Sequence, residues 1–180
     1  RVVRSIAAAL PADAEVEALI FDRTPVRVLG NWKPADATTL AAIESALHAH
    51  VPGNGSDAVA AFALAHNLIA DTRGEAMVIT ITDGALGTLD PSALTRALDS
   101  RELAVDVHAI VLDRGHLTAQ APEPLHRAIA RYGGSYVEVS ADELTTALAE
   151  IDSWLRPSAT VGGRTRLAGT GTVDLTLART

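Results

Sequence analysis

The chain contains no cysteine in its 180 residues, so disulfides, zinc–thiolate sites, iron–sulfur clusters and cysteine nucleophiles are all excluded. Lysine is nearly absent too. Of 15 basic residues only Lys33 is a lysine, and the arginines read as a coding bias of the source rather than as so many recognition sites. Aromatics are scarce, with two each of Phe, Trp and Tyr, too few for a platform that stacks bases or sugars. Positive charge is outnumbered: 22 acids against 15 bases leave a net charge of −7. A nucleic-acid binder needs clustered positive charge, so that class is set aside. No apolar run approaches the roughly 20 residues of a membrane-spanning helix. What is present is an ordinary globular composition, 48% hydrophobic and 21% charged, in a chain long enough for one α/β domain plus a short extension.

Hydrophobic periodicity orders the elements. Residues 1–10 read as a helix with Val2, Val3, Ile6 and Leu10 on one face. No capping residue precedes it, so the chain is expected to be a piece of something longer. Residues 16–21 and 26–29 form two short strands around a turn at Asp22, a hairpin. A helix follows over 36–48 with Leu40, Ile43 and Leu47 on one stripe, then a breaker-rich loop over 51–57. The next helix, 57–70, carries Val59, Phe62, Ala63 and Ile69 inward. Residues 77–82 are almost continuously apolar or β-branched, the pattern of a strand buried on both faces of a parallel sheet. Asp90 and Pro91 supply an N-cap and a first-turn proline for a helix to Asp99. Residues 105–112 make another buried strand, 125–131 a helix stopped by Gly133 and Gly134, and 136–139 a strand. Ser140 and Glu143 then form a capping box for a last helix ending near Trp154. Such alternation predicts an α/β fold: a doubly wound, mostly parallel central sheet with one antiparallel edge hairpin and helices on both faces.

Three stretches, in this order and spacing, resemble a von Willebrand factor type A (VWA) domain. Gly53, Asn54, Gly55, Ser56 and Asp57 before a helix are similar to the family's Gly-Gly-Thr-Asn loop. Residues 78–84, from Val78 to Asp83 and Gly84, are similar to its hydrophobic strand ending in Thr-Asp-Gly. Residues 125–137, leading to Asp142, Glu143 and Leu144, are similar to its closing helix, Gly-Gly turn, strand and final helix. The resemblance covers residues 1–156, expected as a VWA-like domain incomplete at its N-terminus. Residues 157–180, rich in Gly and Thr, are expected as a β extension or the start of a neighbouring β domain.

The resemblance implies a metal-ion-dependent adhesion site for Mg²⁺, with Ser56 at the family's threonine position and Asp83 at its aspartate position. The family's first strand, ending in Asp-x-Ser-x-Ser, has no counterpart here, and the remaining metal positions go with it. Residues 1–10 correspond to the helix after that motif. The implied function is therefore protein binding, in adhesion or assembly, and not catalysis. A partner's carboxylate would take the open Mg²⁺ position, provided an upstream segment or strand completes the site. Bacterial relatives serve in adhesion, in surface or secreted assemblies and beside AAA+ ATPases. The family also follows a β-rich domain in inter-α-trypsin-inhibitor-like proteins, which an extension like 157–180 would suit.

Read from the residues alone, Ser56 is also a good N-cap for a helix beginning at Asp57, and Asp83 with Gly84 is a common turn pair. A function of another class stays open. Asp22, Asp83 and Asp113 each follow a strand, and three carboxylates at one rim could hold a metal for hydrolytic or phosphoryl-transfer chemistry. His48 and His50 are two apart and diverge on a helix, while His66, His108, His116 and His126 are scattered. In the family the missing strand lies between the hairpin strand 16–21 and strand 77–82. Without it both would leave backbone groups unpaired. The expected filler is a strand from outside the chain, ahead of residues 172–178 of its own tail, which alternate like a half-exposed edge.

Overall fold

Strands that are apolar at every position are stable only between two covering layers, and that requirement sets the architecture. The computed structural model describes residues 2–53, 55–70, 72, 76–83, 86, 90–99, 105–113, 123–131 and 134–140. In chain order the elements are α1 (Val2–Ala9), β1 (Glu15–Val16), β2 (Leu19–Ile20), β3 (Val26–Arg27), β4 (Lys33–Pro34), α2 (Ala37–Ala49), α3 (Ala58–Ala70), β5 (Ala76–Thr82), α4 (Pro91–Asp99), β6 (Val105–Asp113), α5 (Glu123–Arg131) and β7 (Tyr136–Ser140). The predicted final helix, its capping box beyond Ser140, and the extension 157–180 lie outside the described residues.

Strands β5, β6 and β7 make a parallel sheet in that order. Ala76 lies opposite Val105 and Thr82 opposite Val111, while Ala109 lies opposite Tyr136 and Asp113 opposite Ser140. Alternate residues serve two cores, as the two-residue period of a strand requires. On one face, Val107 and Ala109 pack with Ala58 and Phe62 of α3, Leu94 of α4, and Leu125 and Ile129 of α5. On the other, Ile110 and Val139 pack with Ile6, Ala9 and Leu10 at the α1 end of the chain. Helices thus cover both faces of a parallel sheet, the α/β arrangement the sequence predicts. Among the described residues no helix is long and apolar enough to cross a membrane.

Helix ends follow local chemistry. Asp36 caps α2, its side chain accepting from Thr39 N at 2.8 Å. Asp90 caps α4 through Ser92 N at 2.9 Å, with Pro91 in the first turn as expected. At the end of α5 the Gly134 amide donates to the Ile129 carbonyl at 3.2 Å. A Cβ at Gly134 would run into the Val107 carbonyl, so only glycine lets this turn cross the sheet. Outside the sheet, Arg4 forks onto Glu44 (Nε to Oε1 2.5 Å, Nη2 to Oε2 2.7 Å), fastening α1 to α2 at the surface. That fork also holds the Glu44 carboxyl below its usual range.

The predicted hairpin divides into two ribbons. β1 pairs with β4, a strand the periodicity does not predict, and β2 pairs with β3, both antiparallel. Glu17 is the reason. Its side chain is 2% exposed and folds back into the ladder instead of pointing to solvent. Oε1 accepts from Ala18 N at 3.0 Å and Leu29 N at 2.9 Å, and Oε2 from Arg27 Nε at 3.0 Å. The carboxylate takes up amide donors where a continuous strand would run, so the first run changes partner around residue 17.

Two burial expectations are corrected. Leu47, placed on the inner stripe of α2, is 45% exposed, because the helix buries only Thr39 and Ile43. In β5, Thr80 and Thr82 are buried but Met77, Val78, Ile79 and Ile81 are only half-buried. Among the described residues β5 has β6 as its single neighbour, and it is not paired with β2.

Glu17→Ala is expected to cost about 3 kcal/mol in urea unfolding, since it strips an ion pair and the oxygen that accepts from two amides from a buried position. Arg4→Ala, whose pair faces solvent, is expected to cost far less by the same measurement.

Candidate functional site

Polar groups in a parallel sheet collect where its strands end, at the carboxyl rim. Thr82 closes β5 and is buried, and Asp83 follows it into solvent. α3 precedes β5 and packs on one face of the sheet through Ala58 and Phe62. Ala58, the first residue of α3, and Leu86, three residues past Asp83, are both buried in one core cluster. Ser56 immediately precedes Asp57 and α3, and Asp83 immediately follows the last residue of β5. Asp113 closes β6, two positions past the residue opposite Thr82, and so reaches that rim as well.

Helix α3 is capped by Asp57, not by Ser56. Asp57 Oδ1 accepts from Ala60 N at 2.9 Å and its carbonyl from Ala61 N at 3.1 Å. Asp and Ser are equally good caps, and the helix starts one residue later than the apolar pattern suggests. This correction frees the half-buried Ser56 hydroxyl from the capping role.

Asp22 is organised by backbone amides. Its Oδ1 accepts from Thr24 N at 3.1 Å, closing the turn between β2 and β3. Its Oδ2 accepts from Gly53 N at 3.1 Å, and its carbonyl from Asp57 N at 2.6 Å. His50 Nε2 stands 3.8 Å from Oδ2. The Thr24 amide, with smaller contributions from Gly53 and His50, holds the Asp22 carboxyl below the ordinary aspartate range, against an opposing effect of desolvation. The stabilisation is therefore complete above that ordinary range and is lost as pH falls through the depressed value.

The other candidates have local duties. His48 Nδ1 meets the Glu44 carbonyl at 2.7 Å, and His66 and His108 are buried. His108 Nδ1 accepts from Ser135 N at 3.1 Å, and His126 stacks on Tyr136 with ring centroids 4.7 Å apart. Burial, with some repulsion from Glu138, pushes the Tyr136 phenol up to about 12. His116 lies outside the described residues. Among the described residues no three His, Asp or Glu side chains come close enough to hold a metal by themselves. Ser56 and Asp83 offer a hydroxyl and a carboxylate from two separate segments.

Since Asp57 is the cap, Asp57→Ala is expected to lower stability by about 1 kcal/mol. Ser56→Ala is expected to stay within about 0.5 kcal/mol of the parent. Thermal or urea unfolding of the two variants side by side checks both.

No family model matches the chain, and no curated protein matches it either. Solved structures do. A von Willebrand factor type A protein from Catenulispora acidiphila superposes with a TM-score of 0.65 at 20% identity, over 84% of this chain and 36% of that one. The chain thus spans about a third of that structure's length. An aerotolerance-related membrane protein from Bacteroides fragilis gives 0.60 at 17% identity, over 86% of each chain. BatB from Bacteroides thetaiotaomicron gives 0.59 at 18% identity, over 87% of this chain and 86% of that one. The order of strands and helices, the rim and these superpositions agree: the chain has the fold of a von Willebrand factor type A domain.

Proposed function

We propose that the chain is the protein-binding module of a larger protein and acts in adhesion or assembly. What supports this is the VWA-type fold, with Ser56 just ahead of α3 and Asp83 just after β5 in the chain. Both are hard oxygen donors. Mg²⁺ demands near-octahedral oxygen coordination, keeps several waters and takes one or two carboxylates, so this donor set suits it. Ser56 would supply a hydroxyl and Asp83 a carboxylate. Bound there, the ion would offer an open position to a carboxylate of the partner protein.

Two ligands do not make a tight Mg²⁺ site, and the rest must come from a strand beside β5. The half-buried apolar side chains of β5 favour such a strand, because its sequence suits the middle of a sheet. An upstream segment running parallel to β5 would bury them and bring further oxygens to the rim. Asp22, one of the three carboxylates of the hydrolytic alternative, is engaged with the Thr24 and Gly53 amides.

Titration calorimetry of residues 1–180 with Mg²⁺ is expected to show no affinity tighter than roughly millimolar. A chain lengthened upstream by a strand ending in Asp-x-Ser-x-Ser is expected to bind Mg²⁺ measurably. In it Asp83→Ala should abolish binding and Ser56→Ala weaken it, with unchanged circular dichroism. Glutamate-bearing peptides are expected to bind the lengthened chain in Mg²⁺ and to be released by EDTA. Sub-millimolar affinity in the short chain, or binding indifferent to Asp83→Ala, contradicts the reading.

A further inference from the structure

We propose that Asp22 is the positioning residue of the loop that carries Ser56. This rests on the role given to Ser56 above. One residue of the β2–β3 turn fastens both ends of that loop: Gly53 N donates to Asp22 Oδ2 at 3.1 Å, and Asp57 N to the Asp22 carbonyl at 2.6 Å. Ser56 lies between those anchors. The other carboxylate oxygen takes Thr24 N at 3.1 Å, which keeps Asp22 itself from turning away. One side-chain oxygen and the main-chain carbonyl of Asp22 thus reach a loop that begins 31 residues further along the chain.

The loop is built to meet this carboxylate. A Cβ at Gly53 would fall on Asp22 Oδ2, so only glycine brings its amide within reach. Gly55 has φ +102°, a conformation that glycine adopts freely, and packs beside the stem of Arg23 from the same turn. His50, at the end of α2, faces Oδ2 from 3.8 Å. An octahedral ion tolerates little displacement of a ligand, so the placement of the Ser56 hydroxyl depends on the anchor that sets its loop.

Amide hydrogen exchange on the full chain, followed by NMR, tests this. In Asp22→Ala the Gly53 and Asp57 amides are expected to exchange roughly tenfold faster, with β6 unchanged. Unchanged protection at both overturns the proposal. Asp22→Asn separates two roles, because its single carbonyl oxygen can serve Thr24 while its NH₂ group meets Gly53. The expected result is protection restored at Thr24 and not at Gly53. Restoration at both would confine Asp22 to the hairpin turn and overturn the positioning role. Should Asp22→Ala fail to fold, Gly53→Ala approaches from the other side. Its Cβ should drive the loop off the carboxylate, so the Asp57 amide loses protection while Thr24 keeps its own, and retained Asp57 protection overturns the proposal. None of these readouts needs metal, so they succeed or fail separately from the Mg²⁺ titrations that decide the role of Ser56.

Discussion

Residues 107–111 of β6 are buried without interruption, and a strand with no polar face can exist only where both sides and both edges are covered. β5 and β7 supply the edges. α3, α4 and α5 supply one face, and the α1 end of the chain supplies part of the other. Among the described residues of the sheet the buried polar side chains are Thr80, Thr82 and His108, and the carboxylate of Asp83 comes only after β5 has ended.

Two carboxylates then organise what the sheet does not. Glu17 is nearly inaccessible and tolerable only because a guanidinium and two amides answer it. Its work is structural, dividing one ribbon into two. Asp22 sits in the more open turn and meets amides plus a histidine at longer range. A carboxylate held by amides needs no desolvated cation, so it can reach across to another segment without the cost that attends Glu17. That difference suits the first to fixing a fold and the second to setting a loop.

Long apolar runs and strong caps were legible from sequence: 105–112 as a buried strand, Asp90 with Pro91 as a helix start, and the glycine stop near Gly134. They are legible because local chemistry decides them. Ser56 and Asp57 were confused as caps because two good capping residues stand side by side, and only the position of Ala58 in the core selects between them. The split hairpin depended on an inward Glu17, and a glutamate in a short strand ordinarily signals a solvent face. Leu47 satisfies the helical period, yet periodicity says nothing of how much of a helix its neighbours cover. At the proposed site, Ser56 and Asp83 enter through the family resemblance. The anchoring of their loop by Asp22 was not, since it joins residues far apart in sequence.

The half-buried face of β5 and the two-ligand rim are one problem seen from two directions. A strand laid parallel to β5 would end at the same rim, since parallel strands share their carboxyl ends. Any oxygen at its end would face Ser56 and Asp83 without a separate device to aim it. If the proposed strand supplies the missing ligands, sheet completion and metal affinity are thermodynamically linked, each raising the other by the same factor. Metal would then stabilise the completed sheet by mass action, in proportion to how far its concentration exceeds the dissociation constant. Binding of a partner carboxylate would add to the same balance. On the proposed reading a module built this way would report its own integrity, because only a chain with its sheet complete would hold the ion through which it would grip a partner.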